Sequence, residues 1–134
     1  MGPDDHIEVV RAIYSAMAAR DIERLLELID ERCTVDQDPA LPWGGHHIGH
    51  HGFGTFALTL RATIDSVVTI EAIFAADGDV IQYGRTTGTV TATGVAFDLP
   101  EVHRWTVRDG KAVAAHMAID TPAMLAALAA APSV

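Results

Sequence analysis

Two side chains in the amino-terminal part of the sequence could cooperate in proton transfer. Asp38 lies in the segment TVDQDP, directly before Pro39. If Trp43 and other apolar groups surround its carboxyl, the ionised form is disfavoured and the carboxyl could act as a general base. The alternative is that Asp38 only forms a turn, because aspartate before proline is common in turns. Tyr14 lies on an apolar helical repeat, where its hydroxyl could donate to a developing oxyanion or simply pack in the core. Which role each plays depends on whether a pocket joins them.

Two histidines occupy strand-like segments nearer the carboxyl terminus. In EVHRWTV, His103 and Trp105 share one face because side chains alternate along a strand. A buried neutral imidazole keeps one N–H, so His103 could donate to an oxyanion or shuttle a proton; a half-exposed strand histidine is the alternative. His116 shares its expected face with alanines, which would leave room for a ligand or for a packed helix. We predict that His103 is catalytic and that Trp105 and His116 contact the substrate.

The segment PWGGHHIGHHGF contains four histidines, which raises the question of a metal site. Zinc ligands usually converge from separated positions or stand at i and i+4 on one helix face. Neighbouring histidines in a loop point in different directions, and Gly49 falls between the pairs that have i, i+4 spacing. We therefore predict that these residues hold no metal. The histidines are His46, His47, His50 and His51.

The same segment is expected to border a pocket. His50 and His51 fit the first turn of a helix, where the helix dipole disfavours their charged forms. We expect His46 or His47 to lean over a cavity mouth and to influence substrate entry. The substrate contacts predicted from this part of the chain are Trp43, His47 and Phe56.

Length, composition and charge limit the class of protein. A chain of 134 residues, 49% hydrophobic and 20% charged, fits a single domain, which we expect to span residues 1–134. The net charge of −9 argues against a nucleic-acid or anionic membrane surface, since both need clustered Lys and Arg. The single Cys33 requires no oxidising compartment, and no segment resembles a signal peptide or a membrane span. We expect a cytoplasmic protein.

Hydrophobic periodicity predicts four helices and five strands. Helices are expected over residues 5–19, after Asp21, from about Gly49, and after a cap at Asp120. The predicted strands are CTVDQDP, TIDSVVTIEAIFA, DVIQYGRTTGTVTA, VAFDLPEVHRWTV and KAVAAHMAI. Turn signals such as Asp77-Gly78 separate the last four, so these strands should form consecutive hairpins. The result is an α+β arrangement, and a sheet that curls around its helices leaves a cone whose open end suits a small molecule.

Several segments together resemble a known family. These are TVDQDP after two helices, the helix entry IGHHGF, and the closing stretch VHRWTVRDGKAVAAHMAIDTPAML. With the order of elements, they resemble the SnoaL-like and ketosteroid-isomerase-like proteins of the nuclear-transport-factor-2-like (NTF2-like) superfamily, over nearly the whole chain. The resemblance implies a cone-shaped fold with a curved, mostly antiparallel sheet around amino-terminal helices. Its members include isomerases, polyketide cyclases, dehydratases, epoxide hydrolases and noncatalytic binding domains.

The resemblance also implies roles for single residues. Asp38 matches the base of the ketosteroid isomerases, and Tyr14 matches their helix tyrosine. His103 stands where those enzymes carry a protonated acid that donates to the oxyanion. The cyclases carry an acid in the last strand, where this chain has Ala118. An epoxide hydrolase would instead need a water held between a carboxylate and Arg85.

We therefore expect a cofactor-free enzyme that isomerises, cyclises or dehydrates a hydrophobic carbonyl compound, such as a polyketide-like or steroid-like substrate. Asp38 would be the base, and Tyr14 and His103 would stabilise an enolate-like oxyanion. The alternatives are a noncatalytic ligand-binding module and an epoxide hydrolase. The expected partners are a small hydrophobic molecule and a second copy of the chain, because the exposed face of such a sheet is often apolar in this family.

Overall fold

The computed structural model describes residues 2–132. This part of the chain forms helices followed by a long run of strands, which confirms the predicted α+β class. In chain order the elements are α1 (Pro3–Ala19), α2 (Ile22–Leu28), β1 (Ile29–Gln37), β2 (Gly45–Ile48), α3 (Gly49–Thr63), β3 (Ile64–Ala76), β4 (Asp79–Val90), β5 (Ala96–Arg108), β6 (Lys111–Ile119) and α4 (Thr121–Ala129). None of the helices in residues 2–132 is long and apolar enough to cross a membrane.

The strands form one curved, unclosed sheet in the order β2-β1-β6-β5-β4-β3. Neighbouring strands are antiparallel except β1 and β6, which run parallel. The hairpins β3–β4 and β5–β6 turn at Asp77-Gly78 and Asp109-Gly110, where both residues of each pair have positive φ. Two-residue turns of this kind match the twist of the flanking strands, which is why Asp-Gly is a strong hairpin signal.

Two of the four helices in residues 2–132 begin with an aspartate whose side chain caps the helix. The side chains of Asp21 and Asp120 accept the N–H groups of Arg24 and Ala123, both at 3.1 Å, and cap α2 and α4 as predicted. Helix α1 begins at Pro3, two residues before the predicted start at residue 5. Proline is favoured in a first helical turn because its missing N–H would lack a helical partner there anyway.

The histidine-rich segment was expected to be a loop before a helix, and that expectation is wrong for its first part. Gly45–Ile48 forms β2, in which His46 lies opposite Asp36 of β1 and His47 lies opposite Val35. The chain reaches this strand through a tight turn that requires Gly44. A side-chain carbon on residue 44 would lie 1.8 Å from the carbonyl oxygen of Asp38. The pairing therefore depends on a backbone contact that no local pattern reveals.

The core lies between the inner face of the sheet and helices α1 and α3. The apolar side of α1 packs against this core, with Val10 and Ile13 fully inaccessible to solvent. Along β5 every second residue from Phe97 to Val107 is buried, so this strand presents six side chains in succession to the core. This strict alternation fixes which β5 residues can face a cavity.

Candidate functional site

A small cavity of about 60 Å³ lies between the helices and the inner face of the sheet. Its walls are mostly apolar, with Trp43 from the turn before β2, Phe56 from α3, and three methionines among them. Methionine is flexible, so these walls can adapt to the shape of a ligand. The polar residues that line the cavity are Gln37, Ser66, Thr86, Glu101 and His103.

The polar end of the cavity is built from two paired strands. Glu101, His103 and Trp105 follow one another on the inner face of β5, and Gln82 of β4 lies directly opposite His103. Tyr14 reaches the same point from α1. Each of these five residues is at most 7% exposed. Buried polar groups of this kind must find partners within the protein.

These side chains form a continuous hydrogen-bonded network around the hydroxyl of Tyr14. Trp105 Nε1 donates to that hydroxyl across 2.9 Å, and Gln82 Nε2 donates to it across 3.1 Å. His103 Nδ1 lies 2.6 Å from the same oxygen. On its other side, His103 Nε2 lies 3.0 Å from Glu101 Oε2, which also accepts from Gln82 Nε2 at 2.7 Å.

The donors in this network determine where its protons lie. Because the Tyr14 oxygen receives two N–H groups, its own hydrogen is directed to His103 Nδ1. Burial lowers the pKa of His103 to about 3, so the imidazole is neutral and carries its single proton on Nε2. That N–H donates to Glu101 Oε2. The order of donation is therefore Trp105 to Tyr14, Tyr14 to His103, and His103 to Glu101.

Glu101, like His103, belongs both to the network and to the lining of the cavity. Its side chain is only 1% exposed, and its Oε1 has no hydrogen-bond partner among the residues described. Burial raises the pKa of this carboxyl, and the hydrogen bond from Gln82 partly offsets the increase. A buried carboxyl with a free oxygen and a raised pKa can exchange a proton with a bound molecule.

Three of the predicted site residues line the cavity. They are Trp43, Phe56 and His103. Trp43 is held by its indole N–H, which donates to Gln37 Oε1 across 3.1 Å. Tyr14 and Trp105 belong to the network but stand behind the lining, and burial raises the pKa of the Tyr14 phenol well above its usual value. With its hydroxyl committed to three neighbours, Tyr14 orients His103 and does not itself meet a ligand in this arrangement.

Asp38 and His116 lie away from the cavity. Asp38 is exposed, and its carboxylate accepts the N–H of Ala40 at 2.9 Å, which is the turn role weighed against catalysis. The side chain of His116 is 52% exposed on the outer face of the sheet, 4.0 Å from Asp36. The predicted face was the inner one, but Val113 is an extra residue opposite β5 and reverses the alternation after it. His116 therefore does not line this cavity.

Three of the four clustered histidines make separate local contacts. His47 does not line the cavity; its ring packs edge-on against Phe56, and its Nε2 donates to the carbonyl oxygens of Trp43 and Gly44 at 3.0 and 3.1 Å. It thus supports the cavity wall. His46 pairs with Asp36, and His50 Nε2 lies 2.7 Å from a backbone carbonyl of β1. Within residues 2–132, no three His, Cys, Asp or Glu side chains are grouped to hold a metal ion.

Sequence reasoning missed Glu101 and Gln82. Glu101 shares its strand face with His103 and Trp105, so the same two-residue period could have identified it. Gln82 has the corresponding phase with Val80 in β4. Arg85, by contrast, is on the outer face, where its Nε donates to Asp98 Oδ1 at 2.6 Å. Arg85 therefore cannot hold a water in the cavity, as the epoxide hydrolase alternative requires.

Comparison with known proteins agrees with this architecture. A family model described as a SnoaL-like domain matches residues 10–115. The search of curated proteins finds no match. An NTF2-like protein from Burkholderia xenovorans is 24% identical over 96% of this chain and 98% of that chain, with a TM-score of 0.85.

Two more distant structures share the fold. A protein from Jannaschia named after the SnoaL-like polyketide cyclases is 18% identical over 97% of this chain and 95% of that chain, with a TM-score of 0.85. A protein from Catenulispora acidiphila with a ketosteroid isomerase-like fold, solved in complex with trimethylamine, is 18% identical over 90% of this chain and 91% of that chain, with a TM-score of 0.76. The chain has the NTF2-like fold and belongs to the SnoaL-like domain family.

Proposed function

We propose that the protein is an enzyme that performs acid–base chemistry on a small, apolar, uncharged carbonyl compound, with Glu101 taking and returning the proton. The observation that carries this proposal is the free Oε1 of Glu101, a carboxyl that is 1% exposed and lines an apolar cavity. The partners of Oε2 hold the carboxyl in place, so Oε1 is the oxygen left to meet a substrate. In this proposal Glu101 replaces Asp38 as the base.

The lining of the cavity supports an uncharged substrate. No Lys or Arg is among the residues that surround it in the described part of the chain. A carboxylate or phosphate ligand would therefore be buried next to Glu101 without a compensating positive charge, which is strongly unfavourable. The remaining polar groups, such as the hydroxyls of Ser66 and Thr86, are neutral donors suited to a carbonyl oxygen.

The proposed reaction begins with removal of a proton from the carbon next to a carbonyl group. Glu101 Oε1 takes that proton, the C–H electrons form an enolate, and the hydroxyls of Ser66 and Thr86 donate to its oxygen. Return of this proton from Glu101 to another carbon of an unsaturated ketone gives isomerisation. If the enolate first attacks a second carbonyl, the proton goes to the new alkoxide and the product is cyclised; if a β-hydroxyl departs, the proton goes to that oxygen, which leaves as water, and the product is dehydrated. A cavity of about 60 Å³ favours a compact substrate, and a polycyclic one would require the methionine side chains to move.

Deuterium exchange into cyclopentanone tests this proposal without knowledge of the natural substrate. In D₂O, wild-type protein should accelerate loss of the α-proton signal in the ¹H NMR spectrum. Glu101→Gln should reduce that acceleration by about 10²-fold to 10⁴-fold, the usual contribution of a general base. Asp38→Asn is the control and should exchange like the wild type. If the wild type does not accelerate exchange, or if Asp38→Asn rather than Glu101→Gln is inactive, Glu101 is not the base.

A second candidate function is noncatalytic binding of a small amine. A buried carboxylate beside Trp43 and Phe56 could pair with an ammonium group while the aromatic rings contact its alkyl groups. The trimethylamine complex of the Catenulispora protein favours this candidate. Trimethylammonium chloride should then raise the melting temperature more than the neutral tert-butanol does, and Glu101→Gln should abolish the difference. Equal effects of the two compounds on the wild type would exclude the amine.

We also propose that the protein forms a homodimer through the outer face of its sheet. Tyr83 of β4 lies opposite Val102 of β5, and both side chains are about two-fifths exposed at 41% and 42%. Phe74, on β3, is 48% exposed. Pairing of two such faces would remove these apolar groups from water. Light scattering after size-exclusion chromatography should give twice the chain mass, and Val102→Glu should yield monomer; a monomeric wild type would refute the proposal.

A further inference from the structure

We infer that Gln82 is a positioning residue that fixes the direction of hydrogen-bond donation from Tyr14 through His103 to Glu101; this fixed direction is called the lock below. The lock keeps the proton of His103 on Nε2, and it leaves Oε1 as the only oxygen of Glu101 that is free to meet a ligand in the cavity. The use of this lock in catalysis rests on the proposed role of Glu101. The lock itself is a property of the hydrogen-bond geometry and can be measured without a substrate.

A chain containing a neutral imidazole can run in two directions. In the direction described above, Tyr14 donates to His103 Nδ1 and His103 Nε2 donates to Glu101. In the reverse direction, Glu101 would carry a proton on Oε2 and donate it to Nε2, while Nδ1 would donate to the Tyr14 oxygen. The reverse direction would move the proton of the carboxyl away from the cavity and leave its free oxygen a weaker base.

Gln82 opposes the reverse direction at both ends of the chain. Its Nε2 has two hydrogens, and they go to the Tyr14 oxygen at 3.1 Å and to Glu101 Oε2 at 2.7 Å. With Trp105 also donating, reversal would direct three N–H groups at the two lone pairs of Tyr14 and leave the hydroxyl hydrogen without an acceptor. At the other end, the amide hydrogen on Oε2 favours that oxygen as an acceptor rather than as the protonated one.

The position of the amide is fixed by its surroundings. If the amide turned over, its oxygen would face Glu101 Oε2 at the 2.7 Å distance now spanned by a hydrogen bond, and two acceptors at that distance repel. Gln82 Oε1 instead lies against Gly84, where a side-chain carbon would approach it to 2.7 Å. Glycine at residue 84 therefore leaves space for the amide, whose Oε1 has no hydrogen-bond partner among the described residues, so the orientation depends on the hydrogens that Nε2 donates to Tyr14 and Glu101.

The experiment determines the tautomer of His103 by long-range ¹H–¹⁵N NMR, which separates protonated from unprotonated imidazole nitrogens. The His103 signals are assigned by their disappearance in His103→Gln. In the wild type we expect a protonated Nε2 and an unprotonated Nδ1 between pH 5 and pH 8, since the imidazole stays neutral there. Gln82→Met removes both donors at similar volume, and the Nδ1 signal should shift toward the protonated position as the two tautomers mix.

Val80→Ala is the matched control. Val80 precedes Gln82 on the inner face of β4, lies opposite Trp105 and is 1% exposed, so its truncation loosens the same region without removing any hydrogen-bonding group of the network. The tautomer of His103 should be unchanged in this variant. If Gln82→Met does not fold, Gln82→Glu serves instead, because a protonated carboxyl has one hydrogen and cannot donate to both Tyr14 and Glu101.

Two results would overturn the inference. One is a wild-type His103 protonated on Nδ1; the other is a Gln82 variant whose His103 remains fully protonated on Nε2. Failure of the proposed function gives a different result. If His103 is protonated on Nε2 but the protein does not accelerate cyclopentanone exchange, the proposed function fails and the inference about Gln82 holds. Conversely, exchange that depends on Glu101 but not on the His103 tautomer would retain the proposed function and would show that the lock, although present, is not used in catalysis.

Discussion

Replacing Tyr14 by phenylalanine removes one oxygen at which three buried hydrogen bonds meet. Trp105 and Gln82 donate to this oxygen at 2.9 and 3.1 Å, and it donates to His103 at 2.6 Å. After the substitution, the Gln82 amide can redirect a hydrogen to His103 Nδ1, which is 3.4 Å away. The indole N–H of Trp105 is left without an acceptor, because the Tyr14 oxygen has been removed and the Trp105 side chain is 0% exposed to water.

The expected cost follows from this count. An orphaned buried donor costs about 1–3 kcal/mol and a lost hydrogen bond about 1 kcal/mol, so Tyr14→Phe should lower the free energy of unfolding by about 2–4 kcal/mol. Urea denaturation followed by circular dichroism measures it. Tyr83→Phe is the matched control, since Tyr83 is the other of the two tyrosines and is 41% exposed. It should change stability by less than about 0.5 kcal/mol.

A double-mutant cycle separates the network from simple packing. Trp105→Phe removes the donor that Tyr14→Phe orphans, so the double variant should be more stable than the sum of the single effects predicts. The coupling energy should lie within about 0.5–3 kcal/mol, the range for residues in direct contact. A cost below about 0.5 kcal/mol for Tyr14→Phe, or strict additivity of the two substitutions, would show that these groups are not bonded as described.

Three further substitutions test the burial of the site. Burial raises the pKa of Glu101, so the stability due to its protonation is present below the ordinary value of 4.5 and is lost as the pH rises above it. In urea titrations, Glu101→Gln should therefore gain stability over the wild type as the pH rises above 4.5. Burial lowers the pKa of His103 from 6.5 to about 3, so the wild type should lose stability as the pH falls through that interval, and His103→Gln should lose less. Met124, at 0% exposure, lines the cavity, and Met124→Ala should cost about 2–5 kcal/mol and admit larger ketones in the exchange assay. Unchanged pH profiles or an unchanged ligand range would contradict these assignments.

The fold was predictable wherever a local signal decided the structure. The Asp21 and Asp120 caps and the Asp-Gly hairpin turns each depend on side-chain and backbone chemistry within a few residues. Strand β2 could not be predicted in this way. Its four residues include glycine and two histidines, and it is a strand because β1 supplies the partner along one edge.

The site was predictable where strand phase remained regular. The alternation along β5 placed His103 and Trp105 on one inner face, and Glu101 belongs to the same series. Phase alone was insufficient for His116, because one extra residue in β6 turned it outward. For Asp38, family resemblance gave the residue type at a chain position but not the direction of its side chain, which is used to hold the turn.

The network is difficult to explain as a device for stability alone. Glu101 loses hydration on burial, and its Oε1 gains no hydrogen bond in return, so an apolar residue at this position would avoid both costs. That replacement would in turn leave the N–H groups of Gln82 and His103 without an acceptor. Burial of the carboxyl and burial of its two donors therefore each require the other. Their combined effect is to hold one unpaired oxygen at the wall of a cavity, where a bound molecule can supply the missing partner.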